Sequence, residues 1–133
     1  MKYACTSIFV IITLLSSIVS KAQPTNRKDS IIDAQYYFLN DEYAAALKLF
    51  RQLATREPNN ANLNYLTGLC YLKLPFENGR SIPFLRKAVN DVSKKYREGS
   101  HRETKAPYNA LYWLGFALHN NKYFDEASKY YSL

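Results

Sequence analysis

Residues 59–74, NNANLNYLTGLCYLKL, decide the fold of this chain. They predict one helix, because Asn59 or Asn60 can accept a hydrogen bond from the free amides of its first turn. The helix carries more apolar residues than one core face needs, which predicts that it packs on two sides. Gly68 lies in its middle, where a glycine costs up to about 1 kcal/mol relative to alanine. We therefore expect a second helix to cross close to Gly68.

Helical patterns continue on both sides of this stretch. In residues 42–56, apolar side chains recur at the spacing of one helix face. Asp41 is placed to cap that helix, and Pro83 is expected in the first turn of another. Residues 91–105 are polar and basic without a clear pattern, so we predict a surface loop there, and no strand pattern competes. The predicted helices cover residues 29–39, 42–56, 60–74, 80–90, about 104–119 and 123–133.

A small residue recurs at matching positions of these helices. Ala34, Gly68 and Gly115 align in the first helix of successive pairs, and the distance from Ala34 to Gly68 is 34 residues. Ala46 and Ala127 align in the second helices, and large side chains follow at fixed offsets. A repeat of this length is typical of stacked helix pairs, which share one continuous core because a single pair cannot bury its apolar face.

At these positions the sequence resembles the tetratricopeptide repeat family. The resemblance implies an all-α superhelix of three antiparallel helix pairs, with the last pair truncated. The expected domain covers residues 23–133, with units at about 27–60, 61–94 and 108–133 and the basic loop at 91–105. Departures are Ser81 in place of alanine, Leu118 in place of tyrosine, and the long loop. The repeat core implied by the resemblance is Ala34, Tyr37, Ala46, Phe50, Pro58, Gly68, Tyr71, Ala88, Leu114, Gly115, Ala127 and Tyr131.

In tetratricopeptide repeat proteins, the inner face of the first helices commonly binds an extended peptide or a partner helix. Tyrosine-rich surfaces suit this role, since large rings bind at low entropy cost; alternatively, some of these rings only cover the core. The polar clamp by which some members hold a C-terminal carboxylate is not matched, because Ile31, Leu66 and Trp113 occupy its positions. The resemblance implies a peptide groove formed by Gln35, Phe38, Tyr65, Leu69, Lys73, Asn109, Tyr112, Phe116 and His119.

Residues 1–22 have the three parts of a secretory signal peptide. Lys2 supplies the positive start, residues 7–19 the apolar run, and Ser20 and Ala22 the small residues before cleavage at Gln23. The alternative is an uncleaved membrane anchor, but the apolar run is shorter than the roughly twenty residues that span a bilayer. Cleavage would remove Cys5 and leave Cys70, which cannot form an internal disulfide and is expected to be a buried thiol.

The sequence indicates no catalytic residue, metal site or cofactor. His101 and His119 have no second ligand at metal spacing, and the chain lacks a glycine-rich phosphate loop, a CxxC pair and a nucleophile elbow. The net charge of +7 would fall to about +5 after cleavage, because Lys2 and Lys21 leave with the leader.

The basic residues of the loop have two interpretations. They could contact an acidic partner or anionic lipid, but such a run is more often only solvated. Nucleic acid is not expected, because stacking aromatics are not interleaved with the charges. The cluster consists of Lys94, Lys95, Arg97, His101, Arg102 and Lys105.

These patterns predict an exported, non-enzymatic scaffold that binds a protein or peptide partner. The chain is similar to the N-terminal repeat segments of OmpA-family outer-membrane proteins, which implies a place in the periplasm or at the outer membrane of a bacterial cell envelope. No transmembrane span is expected in the mature chain. Two alternatives stay open: an accessory subunit of an envelope enzyme, and a structural protein that self-associates through the uncapped edge of the last helix, around Tyr131 and Leu133.

Overall fold

The computed structural model describes residues 26–133, so the predicted leader lies outside the described residues. Within this part, the chain is all-α and forms three consecutive helix pairs, in which each helix packs against its neighbours in sequence. The predicted fold class is therefore confirmed. The helices are α1 Arg27–Leu39, α2 Tyr43–Arg56, α3 Ala61–Lys73, α4 Asn78–Ala88, α5 Ala110–Asn120 and α6 Phe124–Tyr131.

The turn inside each pair has the same backbone conformation. Asp41, Phe76 and Lys122 all have positive φ angles, between 61° and 66°. Positive φ is uncommon outside glycine, and one such residue after a helix is typical of a left-handed helix end. The amides of Glu42 and Tyr123 bond back to carbonyls five residues earlier, both at 2.9 Å. This recurrence supports the repeat independently of the side chains.

Three local predictions about helix starts are wrong. The helix expected from about residue 104 begins only at Ala110, because residues 106–107 form a short strand. Asp41 does not cap α2, because it occupies the left-handed position that ends α1, and its carboxylate accepts instead from the Tyr43 hydroxyl. Pro83 does not lie in a first turn, because α4 begins at Asn78 and the proline falls inside the helix. Gly79 is exposed, so the carbonyl that loses its amide partner there can reach water.

Helix α3 is the centre of the core. It is buried from Ala61 to Tyr71, so the prediction that it packs on two sides is confirmed. The Asn60 side chain accepts from the Leu63 amide at 3.1 Å and caps the helix as expected. A Cβ atom added to Gly68 would lie 2.6 Å from Cγ of Leu85, which shows that α4 is the closely crossing helix. Burial raises the pKa of the Cys70 thiol to about 12, so this thiol stays protonated and inert.

Most residues of the predicted repeat core are buried in the structure. Tyr37 is half-buried, whereas Pro58 and Tyr131 do not lie in the core. Pro58 is exposed because α2 has already ended at Arg56. Tyr131 is 46% exposed because it lies on the last helix of the described chain. The buried members are Ala34, Ala46, Phe50, Gly68, Tyr71, Ala88, Leu114, Gly115 and Ala127.

Residues 91–109, called the insert below, are more ordered than the predicted loop. Two short strands, β1 Val92–Ser93 and β2 Ala106–Pro107, pair in parallel with Val92 opposite Ala106. The expectation that no strand forms is therefore wrong. Two-residue strands leave no readable alternation in a sequence, because they are shorter than the pattern that identifies a strand.

Candidate functional site

A pocket of about 450 Å³ opens between α1, α3 and the insert. Helix α1 forms one wall, α3 the opposite wall, and the insert closes the side. Its surface is mainly apolar, with a few amide, hydroxyl and carboxylate groups. The lining residues are Gln35, Phe38, Leu39, Phe50, Tyr65, Leu66, Leu69, Tyr96, Glu98, Gly99, Pro107 and Asn109.

The structure divides the predicted groove into two parts. Five of its residues line the pocket: Gln35, Phe38, Tyr65, Leu69 and Asn109. The other four do not. Lys73 is exposed near the end of α3, and Tyr112, Phe116 and His119 belong to a separate aromatic cluster on α5 and α6.

The aromatic cluster joins the last two helices. The ring of Tyr112 lies 5.9 Å from that of Tyr131, and the ring of His119 lies 5.1 Å from that of Phe124. His119 is therefore a packing residue at the end of α5. Trp113 belongs to the same cluster, with its ring 5.4 Å from that of Tyr112 and 5.8 Å from that of Phe116.

The pocket residues that sequence reasoning missed come mostly from the insert. The sequence places Tyr96, Glu98 and Gly99 in a surface loop, Pro107 in the first turn of the helix predicted at about 104–119, and Leu39 at the end of a helix. All five line the pocket. Tyr96 offered a signal, since it is a large aromatic residue in an otherwise charged segment. In the structure the Tyr96 ring is half-buried and lines the pocket, which accounts for an aromatic residue in this segment.

Asn62 fastens the insert to the start of α3. Its side-chain oxygen accepts from the Tyr96 hydroxyl at 2.9 Å, and its backbone amide donates to the Thr104 carbonyl at 3.0 Å. Its side-chain nitrogen donates to the Glu103 carbonyl at 3.4 Å. Asn62 is almost fully buried, so these bonds are protected from water and hold the insert in one place.

Glu103 organises the insert from inside. Its carboxylate accepts from the backbone amides of Arg97 at 3.0 Å, Thr104 at 3.1 Å and Lys105 at 3.0 Å. Burial alone would raise the pKa of Glu103, but these amides and the Arg97 side chain hold the pKa below its usual value. The expectation of a merely solvated loop is therefore wrong for the backbone, although most of the basic side chains are exposed as expected.

A second polar contact ties α1 to the other elements. The Arg27 guanidinium pairs with both carboxylate oxygens of Glu57, and it also donates to the His101 carbonyl at 3.1 Å. Asn60 donates to Glu57 at 2.9 Å. The hydrogen bond from Arg27 holds the pKa of Glu57 below its usual value. The wall formed by α1 is thus linked both to the turn before α3 and to the insert.

Apart from the carboxylate of Glu98, the polar side chains that line the pocket are neutral. The Tyr65 hydroxyl donates to Asn109 Oδ1 at 3.3 Å. Burial raises the pKa of Tyr65 to about 12, so the phenol keeps its proton at physiological pH. The charge of Glu98 acts in the same direction from the rim. The site therefore offers apolar contact and hydrogen bonding.

Within residues 26–133, no group of three or more histidine, cysteine, aspartate or glutamate residues is arranged to hold a metal ion. None of the helices in this same range combines the length and apolar character needed to cross a bilayer.

The family model described as "Anaphase-promoting complex, cyclosome, subunit 3" matches residues 6–78, more than half of the chain. Among the described residues, the match covers α1, α2 and α3 and ends at the first residue of α4. A search of the curated proteins found no match, and a search of the solved structures found none either. The repeats of the subunit 3 family are of the tetratricopeptide-like type, in agreement with the stacked helix pairs of this chain. This chain therefore belongs to the tetratricopeptide-like repeat family that the subunit 3 model describes.

Proposed function

We propose that this chain is a non-enzymatic scaffold that binds a segment of another protein in the pocket between α1, α3 and the insert. The observation that supports this most is that the pocket is already formed. The Tyr96 hydroxyl donates to Asn62 and holds the insert against α3, while the Glu103 carboxylate accepts from an insert amide and orders the insert from inside. Arg27 ties α1 to the insert. A preformed site avoids the cost of ordering its walls when a partner binds.

The size of the pocket fits side chains of a peptide. A volume of about 450 Å³ accommodates a few large apolar groups, and the open mouth lets the peptide backbone continue across the surface. Leu39 lies at the rim and is 80% exposed, so it can contact a partner without supporting the core.

Peptides from a displayed random library, each about a dozen residues long, test this proposal. We expect the wild-type protein to enrich a set of peptides whose binding is weakened by Leu39→Gln, because the substitution removes an apolar contact at the rim. Leu133→Gln is the matched control, since Leu133 is 72% exposed at the other end of the described chain. Two results would contradict the proposal: peptides that bind Leu39→Gln as well as the wild type, and a selection in which no peptides are enriched.

We further propose that the scaffold is exported and acts in a bacterial cell envelope, in the periplasm or at the outer membrane, in a setting like that of OmpA-family proteins. The support is the signal-peptide pattern of residues 1–22. The family match carries no information about the cellular location of the chain. The test is the intact mass of the protein recovered from the envelope fraction of its own cells. We expect the N-terminus to begin at Gln23, whereas a chain that retains residues 1–22 in the cytosol would contradict export.

Self-association is a second candidate, favoured by exposed apolar residues at the last helix pair. Tyr123, Phe124, Tyr131 and Leu133 are each roughly half or more exposed. An uncovered end of a helical repeat is a surface on which another copy could stack. Sedimentation over a range of concentrations separates the two candidates, because a binder that stays monomeric at high concentration excludes this one.

A further inference from the structure

We infer that the pocket selects a partner segment in which a large apolar side chain is flanked by lysine or arginine, with Glu98 as the residue that pairs with this cation. The inference rests on the proposed function and adds the chemical class of the partner. The charges are the reverse of those in recognition of a free C-terminal carboxylate, in which a basic groove binds an acidic group.

The first support is the composition of the pocket walls. Among the lining residues, Glu98 is the only one that carries a charge at neutral pH. Three cations of the insert have partners other than Glu98: Arg97 pairs with Glu103, Lys105 lies 3.6 Å from Asp91, and Lys94 lies over the Tyr108 ring. An apolar pocket with one carboxylate at its mouth is complementary to an apolar group beside a cation.

The second support is that Glu98 is exposed and has no cation of its own. None of the ion pairs within residues 26–133 includes it. Its position is nevertheless defined, since Tyr96 is anchored to Asn62 on one side and Gly99 turns the chain with a φ of 73° on the other. The carboxylate is thus available to a partner, on backbone that is held in place at the rim.

The third support is that the field of Glu98 reaches into the pocket. Burial is the main cause of the raised pKa of both Tyr65 and Tyr96, whose rings line the walls, and the charge of Glu98 adds to it in the same direction. A carboxylate on a partner would meet the same negative field and would be rejected, which gives selectivity by repulsion as well as by attraction.

The test repeats the displayed-peptide selection with variants of the rim charge. On the wild-type protein, we expect lysine and arginine beside the apolar residue to be enriched about two- to fivefold over the starting library, as one ion pair near a surface allows. Glu98→Gln should abolish this bias, and Glu98→Lys should replace it with a bias toward aspartate and glutamate. Asp125→Lys is the control, because it makes the same change of charge on α6 and should keep the basic bias.

The outcomes separate this inference from the proposed function. Peptides that depend on Leu39 but show no basic bias would overturn the inference and leave the peptide-binding scaffold standing. A basic bias that persists in Glu98→Lys would also overturn it, because another group would then be the source. If no peptides depend on Leu39, both statements are contradicted.

Discussion

Replacing Gly68 by alanine is expected to lower the free energy of unfolding by about 1–3 kcal/mol, the usual cost of overpacking a core. This sign is opposite to the effect of helix propensity, which favours alanine over glycine by up to about 1 kcal/mol. The steric term wins because the added Cβ would lie 2.6 Å from Cγ and 2.8 Å from Cδ2 of Leu85. Leu85 is fully buried and cannot turn away into solvent. Urea denaturation followed by circular dichroism measures the change.

A double-mutant cycle identifies the contact. Leu85→Ala by itself should cost about 2–5 kcal/mol, because it leaves a cavity in the core. In that background Gly68→Ala should be neutral or stabilising, since the three nearest atoms to the added Cβ all belong to the Leu85 side chain. We expect a coupling energy of at least about 1 kcal/mol between the two sites.

Gly115→Ala is the matched control, at the equivalent position of the last pair. There the added Cβ would meet Cε1 of Tyr131 at 3.0 Å, a longer distance than at Gly68, and this ring is partly exposed and has room to turn. The loss of stability should be clearly smaller than for Gly68→Ala. Equal losses at both glycines, or a stabilising Gly68→Ala in the wild-type background, would contradict the close crossing of α3 and α4.

Replacing Glu103 by glutamine is expected to loosen the backbone of the insert. The substitution removes the charge to which three backbone amides donate, and hydrogen bonds to charged groups contribute about 1.5–3 kcal/mol each. Only the insert should open, because the helices do not depend on these bonds. Hydrogen exchange at the amides of Arg97, Thr104 and Lys105 measures the effect, with an expected loss of protection of about 10- to 100-fold.

The same bond network should make the insert sensitive to acid. The pKa of Glu103 is lowered in the folded state, so its contribution is complete above the unfolded pKa of about 4.3 and is lost as the pH falls through the lower folded value. The difference in protection between the wild type and Glu103→Gln should therefore shrink as the pH falls below about 4. A difference that grows in acid would mean that the carboxylate is not the stabilising group.

Glu98→Gln serves as the control for both measurements. It makes the same chemical change in the same insert, but Glu98 is exposed and outside the network of Glu103. Protection of the insert amides should stay at the wild-type level in this variant. Loss of protection in Glu98→Gln would show that charge, and not the bonds of Glu103, orders the segment.

The helices and their close crossings were predictable because their causes are local and periodic. The stripe on α2, the cap at Asn60 and the glycine at position 68 each appear within one or two turns of sequence. The left-handed residues in the turns were not predictable, since Asp41, Phe76 and Lys122 are not glycines and share no side-chain chemistry. Their conformation is imposed by the packing of each pair.

The pocket was only partly predictable, and the insert is the reason. Repeat register placed Gln35, Phe38, Tyr65, Leu69 and Asn109 on one face, and these do line the pocket. The order of the insert depends instead on contacts such as Asn62 with Glu103, which are 41 residues apart. No periodic pattern records such a contact.

The far half of the predicted groove was placed differently for a related reason. Helix α5 packs mainly against α6 and α4 and only slightly against α3. Tyr112 and Phe116 therefore pack with each other and with neighbouring rings, and they do not continue the wall formed by α3. Repeat register assumes even stacking of the first helices, and the insert between the second and third pairs changes that stacking.

The most direct test of the account is the affinity of one selected peptide for the wild type, Leu39→Gln and Leu133→Gln. We expect Leu39→Gln to weaken binding about tenfold, which corresponds to about 1.4 kcal/mol of lost contact, and Leu133→Gln to leave it within about twofold. Unfolding curves of the two variants should match, because both leucines are largely exposed. Equal affinities for all three proteins, or a loss confined to Leu133→Gln, would contradict a binding site between α1, α3 and the insert.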